Sequence, residues 1–156
     1  MQSVIPFKAG PGVDLATLLV RPFHRISAEF PSQGPTQVTL WFGDEDGLRI
    51  SSEMHDVAYR TEIGSLCFER VTEPSPDDLL LDIVGFEDSV RAQKLTISDE
   101  GYTIEAGVSF LGSEGAELII CAAAFPCHLF ISGIDTPPQN VIPEYPLEKH
   151  SRTDIA

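Results

Sequence analysis

Positive charge is what this sequence has least of. Ten lysines and arginines stand against 24 aspartates and glutamates in 156 residues, a formal net charge of −14. Binding to DNA, RNA or anionic lipid depends on Lys and Arg neutralising phosphates, so the balance argues against nucleic-acid and membrane-surface partners. Cysteine is scarce as well. Cys67, Cys121 and Cys127 are odd in number and irregular in spacing, which suits reduced thiols better than a disulfide framework. Long apolar runs are missing: the longest, residues 118–125, falls far below the roughly 20 residues that cross a bilayer. Lys8 follows Pro6 with no sustained apolar stretch beside it, so the start does not read as a secretory signal and cytoplasmic residence is the expectation.

Several signatures of chemistry are absent too. The chain contains no G-x-G-x-x-G, P-loop, H-E-x-x-H or G-x-S-x-G, which removes several large enzyme classes without excluding an enzyme. No helical segments alternate with the strand-like ones, so a parallel α/β sheet is not expected. No repeat of fixed period is visible. No cofactor is implied.

What is present is an ordinary globular composition, 42% hydrophobic with mean hydropathy close to zero. A chain of this length can bury roughly 70% of its unfolded surface and fold without staples. Residues 90–133 carry the clearest pattern. Tyr102, Ile104, Ala106, Val108 and Phe110 alternate with Thr103, Glu105, Gly107 and Ser109, a period of two that a half-buried strand requires. Residues 91–98 precede this strand; residues 116–124 follow as a continuously apolar strand expected to be covered on both faces, and residues 127–132 make the last one.

Upstream, residues 37–52 read as a hairpin turning at Asp46-Gly47, a favoured turn dipeptide. Residues 25–30, 63–71 and 79–86 each read as a strand. Residues 15–23 suggest a first strand, although Leu and Ala there would also permit a short helix. Residues 52–60 stay open between one or two helical turns capped by Ser52 and an irregular connection. The spacing predicts an all-β fold, a single antiparallel sandwich or distorted barrel of about nine strands over residues 1–134. Residues 135–156, with Pro137, Pro138, Pro143 and Pro146, form a proline-rich C-terminal arm without expected regular structure.

Candidate functional residues are few. His55 and Asp56, near Glu53, Ser51 and Ser52, are the densest group of catalytic types, but sequence neighbours point apart on strands and helices, and a solvated connection is the plainer account. Cys121, Cys127 and His128 lack the paired spacing of a zinc site. Asp44-Glu45-Asp46-Gly47 opens like a calcium loop, yet its twelfth position is His55 instead of an acid. Pro143-Glu144-Tyr145-Pro146 matches P-x-x-P; Tyr145 and Leu147 read as anchors that bind the arm to its own domain or to a second copy. Trp41 stands on the strand face opposite Leu40 and is the third candidate binding residue. No metal ligand or catalytic residue is assigned.

From residues 44 to 117 the chain holds 18 acids and five bases. Such a field keeps a protein dispersed, and it would also steer a basic partner into place. The sequence therefore favours a non-enzymatic module acting through protein–protein contact, an immunity-type inhibitor of a cationic toxin being one version, with a homodimer expected from the apolar arm and the 116–124 strand. Two alternatives stand beside it. One is a small-ligand-binding sandwich or barrel with a pocket lined by Phe42, Phe68, Tyr102 and Phe110; the other is a hydrolase or isomerase using His24, His55 or His128 with a carboxylate.

Overall fold

A computed structural model describes residues 3–56, 62–99 and 101–155. Its strands are β1 (Ser3–Ile5), β2 (Lys8–Ala9), β3 (Arg25–Ala28), β4 (Gln37–Gly43), β5 (Asp46–Asp56), β6 (Glu62–Val71), β7 (Leu79–Asp82), β8 (Arg91–Asp99), β9 (Tyr102–Leu111), β10 (Glu117–Ala122), β11 (Leu129–Ser132) and β12 (Ser151–Asp154). One sheet runs β11-β10-β9-β8-β12, with β1 added in parallel to β9; the other runs β2-β6-β5-β4-β3-β7. The two pack together, so the fold is all-β, with twelve described strands instead of about nine.

Leu40, Leu48, Ile50, Leu66 and Phe68 from one sheet meet Val108, Phe110, Leu118 and Ile120 from the other, all buried. Their alternation with polar neighbours is the period-two pattern seen in the sequence. Gly107 lies opposite Cys121, where an added Cβ would come within 2.5 Å of the Cys121 Cβ. Only glycine permits that approach.

The 116–124 expectation is met in an informative way. Leu118 and Ile120 face the core, while Ile119 and Cys121 join Leu95 on the opposite face beneath Phe130 and Leu147. The second cover comes from the same chain. Pro143 bridges to Ala123, the Ala124 amide donates to the Ile142 carbonyl and the Glu144 amide to the Ala122 carbonyl, and the arm then delivers β12 to the edge of β8.

Five sequence expectations change. The 37–52 hairpin turns at Asp44-Glu45, two residues before the favoured dipeptide, and Asp46 and Gly47 are already paired in β5, opposite Gly43 and Trp41. Residues 15–18 form a short helix, α1 (Leu15–Leu18), not a strand, with Asp14 at its N-cap position; a continuous apolar run does not separate the two states. The β5 strand continues through Ser52 to Asp56, so neither a helix nor an irregular link occupies that part, and residues 57–60 of that stretch lie outside the described residues. Only Leu79–Asp82 of the 79–86 stretch is strand. The arm is not irregular throughout: it holds a 3-10 turn at Leu147–Lys149 and β12. Both gain order from tertiary pairing, for which local proline content is no guide.

Candidate functional site

Because Leu48, Ile50, Leu66 and Phe68 point into the core, the alternate residues Glu53, His55, Ser65 and Cys67 share the opposite face of the β5–β6 hairpin. His55 Nε2 lies 2.8 Å from the Ser65 hydroxyl. One row further, the Cys67 thiol donates to Glu53 Oε2 at 3.1 Å, and Lys8 Nζ on β2 stands 3.6 Å from the same oxygen. The thiol's hydrogen bond, with Lys8 behind it, holds Glu53 below the usual carboxylate range. Burial, reinforced by Glu53, pushes Cys67 up to about 12, so it carries almost no thiolate at neutral pH and is not an activated nucleophile. Ser65 is buried.

The remaining histidines named from the sequence are no closer to a catalytic arrangement. His24 is exposed and contributes its backbone to β4 and to Ile83. His128 Nδ1 meets the Pro126 carbonyl at 2.9 Å, while its ring packs edge-on to Phe125. Cys121 is buried and Cys127 exposed, and burial pushes the Cys121 thiol up to about 12. No group of His, Cys, Asp and Glu with metal-site geometry occurs among the described residues.

The residues expected to bind a partner are distributed. Trp41 is 3% exposed, donates its Nε1–H to Ser27 at 2.8 Å and lies against Gly47, where a Cβ would sit 2.7 Å from the ring. Its ring is packed and offers little free surface. Tyr145 donates to Asp99 at 2.9 Å and joins Ile63, Ile97 and Ile104; Leu147 covers Ile119 and Cys121. The four residues expected to line one pocket divide between two apolar clusters. Phe68 and Phe110 fill the core, Phe42 lies beneath the Arg21 guanidinium at 4.7 Å, and Tyr102 belongs to the Ile104 cluster. A cleft of about 340 Å³ opens elsewhere, between Phe7, Leu15, Leu19, Lys94, Glu105 and Ile155. There Glu105 accepts from Lys94 at 2.7 Å and from the Phe7 amide at 2.7 Å.

Glu144 escaped notice in the sequence. Its carboxylate accepts the Gly64 amide of β6 at 3.0 Å, and burial raises it above its ordinary value. The P-x-x-P pattern drew attention to the prolines, and nothing local marks the acid between them as buried.

Charge is organised more sharply than composition shows. Lys8, Arg21, Arg25, Arg49, Arg70, Arg91, Lys94 and Arg152 are each in an ion pair with a carboxylate. Asp46 serves two of them. Its burial favours the neutral acid, but hydrogen bonds from Arg21 and Arg70 prevail and hold it low. Residues 73–88 contain Glu73, Asp77, Asp78, Asp82, Glu87 and Asp88 and no base; all but Asp78 are exposed. Among the described residues, Asp82 alone of these has a cation, Arg25 at 2.8 Å.

No family model, curated protein or solved structure matches the chain. None of the described helices is long and apolar enough to cross a membrane.

Proposed function

We propose that this protein is a non-enzymatic interaction module whose acidic surface receives a basic protein partner, an immunity-type inhibitor of a cationic toxin being one version. The observation that carries this reading is the disposition of charge. Among the described residues, eight cations are committed to carboxylates within the fold, whereas residues 73–88 present exposed acids of which Asp82 alone is paired with a described cation. An uncompensated field of this kind accelerates encounter with an oppositely charged surface and weakens as salt screens it. The chemistry of the β5–β6 face supports the non-enzymatic side, since the thiol is held neutral and the serine is buried.

The test is retention of proteins from native lysate on the immobilised chain at about 50 mM and about 500 mM salt, conditions that span weak to strong screening. Basic proteins should be retained at low salt and released at high salt. Retention of nothing basic, or retention indifferent to salt, overturns the reading.

The cleft beside Phe7 favours one second reading, a small-molecule site. Its volume lies at the lower end of the ligand-pocket range, and the Lys94–Glu105 pair supplies polar anchors. A fragment screen followed by amide shifts would place ligands at Phe7 and Ile155 if this were the function.

A further inference from the structure

We infer that the free edge of β7 is the docking strand for the partner, which adds an extended, basic and apolar segment to the sheet; this rests on the interaction reading above. Three observations converge on that edge.

The first is backbone polarity. β7 ends its sheet and, among the described strands, pairs with β3 alone. The Ile83 amide donates to the His24 carbonyl at 3.0 Å, which makes them a hydrogen-bonded pair. Such pairs alternate along an antiparallel ladder. Leu79 and Leu81 therefore bond β3, while Leu80 and Asp82 turn their N–H and C=O groups outward. An extended chain can satisfy these groups by strand addition.

The second is the apolar surface carried by a strand so placed. Leu79 is 45% exposed, Leu80 48% and Val84 84%. The other sheet ends differ: β2 has two residues, β12 is wholly polar, the Leu129 amide at the start of β11 is bonded to Pro35, and β1, although it exposes Val4, has three residues and no acid within residues 1–9.

The third is charge, which selects the occupant. Asp77 and Asp78 precede the strand, Asp82 lies on it, and Glu87 and Asp88 follow. A second copy pairing β7 with β7 would oppose these acids to themselves. A segment carrying Lys or Arg between apolar residues meets attraction at both ends and burial in the middle.

The probe is a capped ten-residue peptide alternating Lys with Val and Ile, titrated into the full chain and followed by fluorescence anisotropy and by amide shifts. Leu80→Pro removes an outward N–H and fills its place with the ring, leaving the β3 bonds and every charge intact. The expected result is at least tenfold weaker binding to L80P, with shifts in the wild-type chain centred on Leu80, Asp82 and Val84. A variant with Asp77 and Asp78 changed to Asn should bind more slowly and lose salt dependence. If L80P binds as the wild type does while the Asn variant loses binding, the basic-partner reading stands and the docking strand is wrong. Absence of peptide binding at low salt, or a wild-type dimer in sedimentation that L80P dissociates, also overturns the assignment. If L80P fails to fold, the wild-type shifts decide: shifts away from β7 overturn it.

Discussion

β7 and β12 each hold four residues, each closes one sheet and each runs antiparallel to its single neighbour, yet one reads Leu-Leu-Leu-Asp and the other Ser-Arg-Thr-Asp. The polar strand is fastened by its side chains. Arg152 donates to Glu117 at 2.7 Å and to Gln93 at 3.3 Å, and Asp154 accepts from Gln93 at 3.1 Å. Hydrogen bonds from Ser109 and then Arg152 hold Glu117 low. Charged residues on an edge discourage further pairing. The apolar strand has one such tie, Asp82 to Arg25 at 2.8 Å, and is otherwise held by its ladder and by Leu81 and, just beyond it, Ile83, both packed on the core, while its outward residues keep apolar surface available. Two edges of equal length thus have opposite consequences: one terminates its sheet, the other leaves it open to extension.

The sharpest way to break this comparison is to move a proline by one residue. Leu81→Pro removes a donor to β3 and the packed leucine side chain, so it should cost about 2–4 kcal/mol in urea unfolding. Leu80→Pro should cost less than about 1 kcal/mol, because its N–H has no partner to lose. Equal losses would show that the outward register of β7 is misassigned.

The next effect concerns what β12 depends on. Leu147 spans the face of β10 before the chain reaches β12, and Leu147→Ala should cost about 1–2 kcal/mol as a half-buried truncation. Native-state hydrogen exchange should then show β12 amides losing protection while β7 amides keep theirs. If both edges lose protection together, the arm is not an independent unit.

That arm marks the limit of what could be read from the chain. The period-two strands of residues 90–133 and the hairpin of residues 37–52 were legible because half-buried strands must alternate, but the hairpin's turn was not: it falls on Asp44-Glu45, with Asp46 and Gly47 already paired in β5. β1, β2 and β12 were not, being two to four residues long and ordered only by a distant partner. The Leu15 run was ambiguous for a different reason: an apolar stretch without period fits helix or strand equally. Of the polar cluster, His55 and Glu53 were visible as types, but Ser65 and Cys67 joined them only through the β5–β6 register. The acidic excess could be counted in advance, whereas its placement around β7 required the pairing of β7 with β3.

A smaller effect is expected from Arg152→Ala. Exposed ion pairs contribute little, so the loss should stay below about 1 kcal/mol. The informative result is a change in association: with its charge removed, β12 should come to resemble β7 only partly, because Ser151, Thr153 and Asp154 remain polar. Sedimentation should therefore report the same state for this variant as for the wild type. Concentration-dependent dimerisation of this variant alone would show that a single arginine keeps this edge closed.

The smallest effect depends on pH and separates the two edges by attachment. Glu144 is raised by burial when the arm is docked, against an ordinary value of 4.5, so the docked state binds its proton more tightly than the released state. Stability contributed by the neutral acid is therefore present below pH 4.5 and is lost as pH rises through the docked value. Glu144→Gln keeps an oxygen for the Gly64 amide and cannot ionise. Relative to the wild type, β12 amides in this variant should gain protection progressively above pH 4.5, while β7 amides, which owe nothing to the arm, should not change. The comparison must be made as a difference between the two proteins. Glu53, Asp46 and Glu117 are held low and lose their contributions as pH falls through their docked values, but they titrate alike in both proteins and cancel. Protection of β12 that is indifferent to the substitution at every pH would mean that Glu144 does not govern the docking of the arm.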